Sequence, residues 1–336
     1  MKIKRRFLVL FLVISLLTVA LSVSAWGIRC SLLDGKAEAP FSVLLCGMDE
    51  SGSNTDVMFV ACVNPHTSRF DILQIPRDTL VLNESGKPVK LNSRFSHFQN
   101  QGMTPVRAAN AFKKELASLL GMQITHTVML DMKTVAALVD DLGGIRVRVP
   151  QDMSYSDPTQ NLNISIPAGE NLLNGKQAVS FLRYRNGYLR GDLARMDAQK
   201  LFLAAVVERF RAGVGLSYAA KAGKTLSRGK VYSDMHLMRA AERGYHLLSG
   251  CRGSFSVATL PGEALYTNGT WYFVAARASA DAMLCAQFSA FYHGRGSFDA
   301  SERLCDLTDA GVRNAYSSPE ISYKIYREDD LKNISL

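Results

Sequence analysis

The sequence lacks the residue patterns that mark zinc enzymes and disulfide-rich proteins. Its six histidines show no metal-binding spacing and no HExxH motif, which argues against a zinc enzyme. None of its six cysteines belongs to a CxxC pair, and only a disulfide among Cys251, Cys285 and Cys305 stays open. The sequence also has no internal repeat, low-complexity linker or helix-turn-helix pattern. A solenoid and a DNA-binding protein are therefore not indicated.

The N-terminus combines a basic stub with a long uncharged stretch. Met1–Arg6 is basic, and Phe7–Ala25 has no charged residue and is close to the roughly 20 residues that span a bilayer. Positive charge stays on the cytoplasmic side of a membrane. Residues 1–6 are therefore predicted to be a cytoplasmic stub, residues 7–25 a transmembrane signal-anchor, and the rest extracytoplasmic. Val23–Ala25 also suits signal peptidase, which leaves a cleaved signal as the alternative.

Strand-like and helix-like segments alternate along the rest of the chain. Thr104 and Pro105 form a helix start, and Asp131 is expected to cap a second helix. The predicted strands are 42–46, 56–63, 70–75, 127–130, 145–149, 255–260 and 270–275, and the predicted helices are 105–120, 132–142, 192–211, 235–248 and 278–291.

This alternation predicts an α/β fold, a layered sandwich with a central mixed β-sheet flanked by helices, after the N-terminal transmembrane helix. The catalytic domain is expected to span residues 41–291. Within it, residues 151–167 are predicted to be a polar loop. Residues 292–336 are predicted to be a C-terminal tail of uncertain order.

Arginine and acidic residues cluster in Ile75–Thr79 and again in Phe181–Gln199. In an extended segment, side chains two apart share a face, so Arg183 and Arg185 are predicted to point the same way. The segment from Asp192 is predicted to be a helix. Its inward face, at roughly 100° per residue, carries Asp192, Arg195 and Gln199. Its solvent face is predicted to carry Asp197, Lys200, Glu208 and Arg211.

Charged side chains on the inward face of a helix need a partner. An unpaired buried charge is costly, so these groups are expected to be paired or to hold a ligand. Guanidinium groups that converge in one cleft suit phosphate or pyrophosphate, which each can bind through two hydrogen bonds at once. The net charge of +9 also fits an anionic partner. We therefore expect a phosphate or pyrophosphate site.

An ordered series of short motifs resembles the LytR–CpsA–Psr family. The motifs are Leu44–Asp49, Asn54–Met58, Asn64-Pro65, Ile75–Thr79, Lys90–Asn92, Val139–Ile145, Leu173–Ala178, Arg183–Arg185, Asp192–Gln199, Leu260–Gly262 and Asn268–Trp271. Each motif alone is unspecific, but their order along the chain is specific. The resemblance covers roughly Phe41–Phe288.

The resemblance implies an extracytoplasmic phosphotransferase of the cell membrane with a single-pass N-terminal anchor. Such enzymes take an anionic glycopolymer from an undecaprenyl-pyrophosphate carrier and join it through a phosphodiester to a hydroxyl of peptidoglycan. The expected partners are the polyprenyl-pyrophosphate-linked glycopolymer, peptidoglycan and the membrane, with no nucleic acid. In the family, the polyprenyl chain lies in an apolar tunnel between sheet and helices.

The same resemblance assigns the candidate site residues. Asp49 and Asp56 match acids that hold Mg²⁺, with Mn²⁺ as a substitute. The residues expected around the pyrophosphate are Arg77, Arg183, Arg185, Arg195 and Gln199. The candidate catalytic residues are Arg77, Asp78, Arg183, Arg185, Asp192 and Arg195. Asp192 would orient the arginines, whereas Asp78 is either a base for the acceptor hydroxyl or a residue that orients Arg77.

One departure from the family leaves other functions open. Ala198-Gln199-Lys200 stands where the family usually has Arg-Gln-Gln, so one arginine is missing. A non-catalytic binder of lipid-linked polymer is one alternative, and a hydrolase of the lipid pyrophosphate is another. A transcription regulator is disfavoured, because everything after Ala25 is expected to lie outside the cytoplasm.

Overall fold

A computed structural model of the chain describes residues 39–49, 51–64, 66–67, 69–157, 162–184, 192–215, 217–236, 254–267, 269–294, 303–306 and 321–334. The predicted stub and signal-anchor, and nearly all of the helix predicted at 235–248, lie outside these residues. None of the helices in the described ranges is both long and apolar enough to span a bilayer.

The strands are numbered in chain order. They are β1 Phe41–Met48, β2 Thr55–Asn64, β3 Arg69–Gln74, β4 Leu80–Leu82, β5 Pro88–Lys90, β6 His126–Asp131, β7 Ile145–Val149, β8 Met153–Asp157, β9 Leu162–Ile166, β10 Gly169–Leu173, β11 Val231–Ser233, β12 Phe255–Thr259, β13 Gly262–Thr267, β14 Thr270–Ala275 and β15 Ile325–Arg327.

The helices are numbered in the same way. They are α1 Arg94–Asn100, α2 Pro105–Leu120, α3 Met132–Asp141, α4 Gly175–Arg183, α5 Asp192–Arg211, α6 Ser217–Arg228, α7 Arg277–Gln287 and α8 Glu328–Lys332, and a 3₁₀ turn at Leu91–Ser93 precedes α1.

Seven of these strands form the central sheet, in the order β11-β6-β1-β2-β3-β12-β15. The pairs β1–β6 and β3–β12 are parallel, whereas β1–β2, β2–β3, β6–β11 and β12–β15 are antiparallel. The predicted mixed sheet is therefore confirmed. Apolar side chains of β1, β2 and β3 pack against α2 and α7 in the largest core cluster, which supplies the helical layer on one face.

Local sequence signals position several helices as predicted. The carboxylate of Asp131 accepts a hydrogen bond from the Thr134 backbone N–H at 2.9 Å and caps α3. α2 starts at Pro105 and ends before Gly121, whose φ of 63° lies in the left-handed region that glycine tolerates best.

Helix α5 is covered on two sides. Ala198 and Phe202 pack in a cluster with α4 and the strands β7–β10. Val207 packs instead with Ile72 and Val257 of the central sheet. This double packing places the N-terminal half of α5 beside the ends of β2 and β3, where the predicted site residues lie.

The prediction that Asp197 and Lys200 contact solvent is wrong. They are only 6% and 3% exposed, and Lys200 Nζ donates to Asp197 Oδ1 at 2.7 Å. Lys200 Nζ also lies 4.3 Å from the ring centre of Tyr326 in β15. Glu208 is exposed as predicted, whereas Arg211 is half-buried and pairs with Glu328 of α8 at 2.7 Å.

The predicted extended pair Arg183 and Arg185 is wrong for Arg183. Asn174 and Gln177 form a capping box at the start of α4, and Phe181 is fully buried, so the helix continues through Arg183. Tyr184 is the first extended residue, with φ −61° and ψ 131°. Arg185 lies outside the described residues.

Two segments with weak sequence patterns are ordered. The predicted polar loop 151–167 contains the antiparallel hairpin β8–β9. The predicted tail supplies β15, which pairs with β12 at the edge of the central sheet. It also supplies α8, whose Leu331 is fully buried against that sheet.

Candidate active site

The site begins at the turn that follows β3. The backbone N–H and the hydroxyl of Thr79 both donate to the carbonyl of Pro76, at 3.2 and 2.6 Å. The carbonyl of Arg77 accepts from the Asn92 N–H at 3.0 Å. These bonds fix the backbone of Ile75–Thr79, so the side chain of Arg77 has a defined starting point.

The Arg77 guanidinium lies among three carboxylates. Its Nη1 donates to Asp56 Oδ1 at 2.6 Å, its Nη2 lies 3.7 Å from Asp192 Oδ1, and its Nε lies 3.9 Å from Asp78 Oδ2. Burial disfavours the charge, but Asp192, Asp56 and Asp78 outweigh it and raise the pKa of Arg77. Arg77 is therefore a fixed cation in the site.

Asp192 also pairs with Arg195, one turn along α5. Arg195 Nη2 lies 2.8 Å from Asp192 Oδ1 and donates to Oδ2 at 3.1 Å. Arg195 is only 5% exposed. This burial, which Asp192 only partly offsets, lowers the pKa of Arg195, and Arg77 adds to the effect. Two arginines thus share one carboxylate, and positive charge exceeds negative charge at this point.

Gln199 follows Arg195 by one helical turn and lies against the end of β3. Gln199 Oε1 accepts from Gln74 Nε2 at 3.1 Å, and Gln74 Nε2 also donates to the Met196 carbonyl at 3.0 Å. The hydroxyl of Thr259 in β12 donates to Gln74 Oε1 at 3.1 Å. The sheet and α5 are therefore joined twice, through Arg77–Asp192 and through Gln74–Gln199.

Four side-chain atoms of this cluster are buried without a hydrogen-bond partner among the described residues. They are Arg77 Nε, Asp192 Oδ1, Arg195 Nε and Gln199 Nε2. Buried polar atoms are nearly always satisfied in folded proteins, so each exception needs an explanation. Three of the four are donors on two elements that face each other. This arrangement suits an anion with several oxygens.

Asp78 lies on the other side of Arg77. Its Oδ1 pairs with Lys90 Nζ of β5 at 3.0 Å, and Lys90 Nζ lies 5.8 Å from the ring centre of Tyr272 in β14. The Asp78 carbonyl accepts from the Phe273 N–H at 2.9 Å. Asp78 is thus held by the β4–β5 and β13–β14 hairpins, and its carboxylate faces two cations.

Asp49 and Asp56 lie at adjacent ends of β1 and β2. The Asp49 carboxylate accepts from Ser51 Oγ at 2.6 Å, the Ser53 N–H at 3.0 Å and Asn54 Nδ2 at 2.9 Å. Partial burial disfavours ionisation of Asp49, but these hydrogen bonds outweigh it and hold its pKa below the usual value. Asp49 is therefore an anion that is engaged by its own loop.

The two carboxylates fit Mg²⁺ better than a metal with a complete set of protein ligands. Among the described residues, no group of three or more His, Cys, Asp or Glu side chains is placed to hold a metal. Mg²⁺ commonly uses one or two carboxylates together with phosphate oxygens and water. The donor set of Asp49 and Asp56 has this chemistry.

The contacts bring most of the predicted site residues together. Asp56, Arg77, Asp78, Asp192 and Arg195 form one ion-pair network, and Gln199 lies one turn further along α5. Asp49 faces its own loop, Arg183 is the last residue of α4, and Arg185 lies outside the described residues. Sequence reasoning missed Gln74 and Thr259. A glutamine between Leu73 and Ile75 in an apolar strand was the only available signal.

Comparison with known proteins adds the family. The sequence profile of the LytR_cpsA_psr family matches residues 21–289. The chain belongs to the LytR–CpsA–Psr family. The resemblance recognised in the ordered motifs is therefore confirmed, and it extends over most of the chain.

Characterised relatives and solved structures agree with this assignment. The TagU protein of Bacillus subtilis (strain 168) is named a polyisoprenyl-teichoic acid–peptidoglycan teichoic acid transferase. It is 28% identical over 243 residues, which cover 70% of this chain and 73% of TagU. The crystal structure of B. subtilis TagV matches with a TM-score of 0.62 and 23% identity, covering 76% of this chain and 98% of TagV.

A third match is a ligand complex. The structure described as TagT bound to LIIa-WTA superposes with a TM-score of 0.55 and 19% identity, covering 70% of this chain and 85% of TagT. At this level of identity the structural matches establish the fold, and the α/β architecture with its central mixed sheet is common to the family.

Proposed function

We propose that the protein is an extracytoplasmic phosphotransferase that moves an anionic glycopolymer from an undecaprenyl-pyrophosphate carrier to a hydroxyl of peptidoglycan. The observation that carries this proposal is the pair Arg77 and Arg195, which share Asp192 and each leave a buried Nε donor unpartnered. The transferase names of relatives such as TagU give the substrate class.

The reaction requires charge neutralisation more than covalent catalysis. The acceptor oxygen forms a bond to the phosphorus on the polymer side of the pyrophosphate, and the bond from that phosphorus to the carrier phosphate breaks. Polyprenyl phosphate leaves, and it takes up the charge balance of the hydroxyl proton. Fixed guanidinium donors stabilise the negative charge that develops on the bridging and terminal oxygens.

Asp78 is assigned an orienting role in this proposal. Its carboxylate lies 3.0 Å from Lys90 Nζ and 3.9 Å from Arg77 Nε. A carboxylate between two cations holds them in place but is a weak proton acceptor, because the cations favour its charged form. Asp78 therefore sets the position of Arg77, and the base role is the less favoured of the two.

Mg²⁺ is the proposed cofactor, with Mn²⁺ as a substitute. Asp49 and Asp56 would hold it, and the ion would neutralise charge on the pyrophosphate. The remaining residues bind and orient the substrate without it: Arg77 and Arg195 contact the phosphates, and Asp192 keeps the two guanidinium groups apart at a fixed spacing.

The test is a transfer assay with the purified full-length chain. It uses a polyprenyl-pyrophosphate-linked oligosaccharide, labelled in the sugar, with peptidoglycan as acceptor. Label on peptidoglycan supports the transferase. Free phosphorylated sugar without acceptor would indicate a hydrolase, and bound but unconverted lipid would indicate a carrier protein, and either result would replace the proposal.

The membrane topology is tested separately. If residues 7–25 are a single-pass anchor, the chain beyond Trp26 is digested by protease in spheroplasts and protected in sealed inside-out vesicles. The reverse pattern would overturn the extracytoplasmic location.

A further inference from the structure

The amide of Gln74 has a defined orientation. Its Nε2 lies 3.0 Å from the carbonyl oxygen of Met196, which can only accept a hydrogen bond. The group that faces this carbonyl must therefore be the NH₂ of Gln74. The remaining oxygen accepts from the Thr259 hydroxyl at 3.1 Å, and Gln74 is 1% exposed, so no water competes for either end.

The orientation of Gln74 determines that of Gln199. Gln74 Nε2 is also 3.1 Å from the Gln199 amide, and a donor on one side requires an acceptor on the other. Gln199 must therefore turn its Oε1 toward the sheet and its NH₂ away from it. Gln199 Nε2 is buried without a partner among the described residues, as are the Nε atoms of Arg77 and Arg195.

We propose that Gln74 is a positioning residue that turns the Gln199 amide so that its NH₂ faces the pyrophosphate cleft. This inference rests on the proposed function of the same site. A side-chain amide can present either a donor or an acceptor. The bond from Gln74 selects the donor, so Gln199 contributes N–H groups beside the two guanidinium groups.

The selection matters because the wrong face would repel the ligand. An amide oxygen pointed at a phosphate oxygen offers no hydrogen bond and places two acceptors together, whereas an N–H to an anion forms one of the stronger hydrogen bonds in proteins. Gln74 thus determines the sign of the Gln199 dipole toward the substrate. It does so from the strand end that precedes Arg77 by three residues.

Two substitutions of Gln74 separate this role from packing. Gln74→Glu keeps the shape and gives an acceptor where Gln74 has its NH₂, so it attracts the NH₂ of Gln199 and leaves the amide oxygen facing the cleft. Gln74→Met keeps the approximate volume and leaves the amide free to adopt either orientation. We expect binding of inorganic pyrophosphate to the full-length chain to weaken about tenfold for Gln74→Glu and only about twofold for Gln74→Met.

A double-mutant cycle with Gln199→Met identifies the route of the effect. If Gln74 acts through Gln199, Gln74→Glu adds little once Gln199 is replaced. If the new carboxylate simply repels the anion, its full cost persists in the Gln199→Met background, and the positioning role is wrong. The apolar Gln74→Met, compared with the wild type in the same titration, gives a result even if Gln74→Glu fails to fold.

The outcomes distinguish this inference from the proposed function. Loss of pyrophosphate binding in Arg195→Met and Gln199→Met, with equal and unchanged binding in both Gln74 variants, would refute the role of Gln74 alone. Undiminished binding in Arg195→Met would refute the pyrophosphate site itself. Ser256→Ala, in the same strand as Thr259 but bonded to Asp71, is the control and should bind pyrophosphate normally.

Discussion

Replacing Arg195 by methionine should raise stability and remove activity at once. Arg195 is buried with an unpartnered Nε, and burial lowers its pKa. An unsatisfied buried donor costs about 1–3 kcal/mol. The pair with Asp192, whose side chain is 33% exposed, returns about 0–1 kcal/mol. In Arg195→Met, Asp192 keeps Arg77 nearby, so the free energy of unfolding should rise by roughly 1 kcal/mol.

The effect on turnover should be much larger and opposite in sign. Deleting one donor to a developing oxyanion typically costs about 2–4 kcal/mol of transition-state stabilisation. At 1.36 kcal/mol per factor of ten, this is a loss of roughly 30- to 1000-fold in kcat/KM. Arg195→Lys should recover little, because an ammonium group cannot make the two-pronged contact.

The control lies at the other end of the same helix. Arg211 also pairs with a carboxylate, Glu328, at 2.7 Å, but outside the cleft. Arg211→Met should lower stability slightly and leave transfer unchanged, which is the reverse of the result for Arg195→Met. Calorimetry and the transfer assay measure both quantities. A less stable Arg195→Met, or equal turnover of the two variants, would refute the reasoning.

Three further outcomes are expected. Chelation should stop transfer, and Asp56→Asn should weaken it more than Asp49→Asn, whose loop contacts asparagine partly retains; full activity of Asp56→Asn in chelator would exclude the metal role. The hydrogen bond from an arginine lowers the pKa of Glu328, so its stabilisation is present above the unfolded value of about 4.3 and is lost at lower pH; the stability gap between the wild type and Glu328→Gln should close below about pH 4, and a constant gap would contradict this. Glu115→Gln leaves the buried guanidinium of Arg94 short of its partner at 3.0 Å, and urea unfolding should show a loss of about 3 kcal/mol, whereas a loss within error would mean that the network is energetically neutral.

Elements with strong local signals could be predicted from the sequence. The cap at Asp131, the proline at 105 and the left-handed Gly121 act within a few residues, so the bounds of α2 and α3 follow from short-range chemistry. The apolar runs of β1, β2 and β3 are likewise buried on both sides of the sheet. These elements require no knowledge of what packs against them.

The solvent face of α5 could not be predicted, because it depends on a distant segment. A single inward stripe assumes that one side of a helix meets water, yet α5 packs on the β7–β10 strands and on the central sheet, and β15 covers Lys200. A three-residue strand such as Ile325–Arg327 has too few residues to show a period. The partners of Gln74 lie 122 and 185 residues further along the chain, and no local pattern indicates such contacts.

The order of strands in the sheet also determines when the cleft can form during folding. β3 must wait for β12, which is synthesised about 185 residues later, because parallel pairing of distant strands closes a long loop. Until then the edge of β3 is open and can pair with other chains. β15 then covers the edge of β12 as one of the last segments to emerge.

A chain that ends before β15 therefore retains every residue of the arginine cleft but exposes the edge strand that carries Thr259. Nascent or truncated chains of this length should aggregate through that edge. A few residues near the C-terminus, remote from the chemistry, thus decide whether newly made protein reaches its folded state.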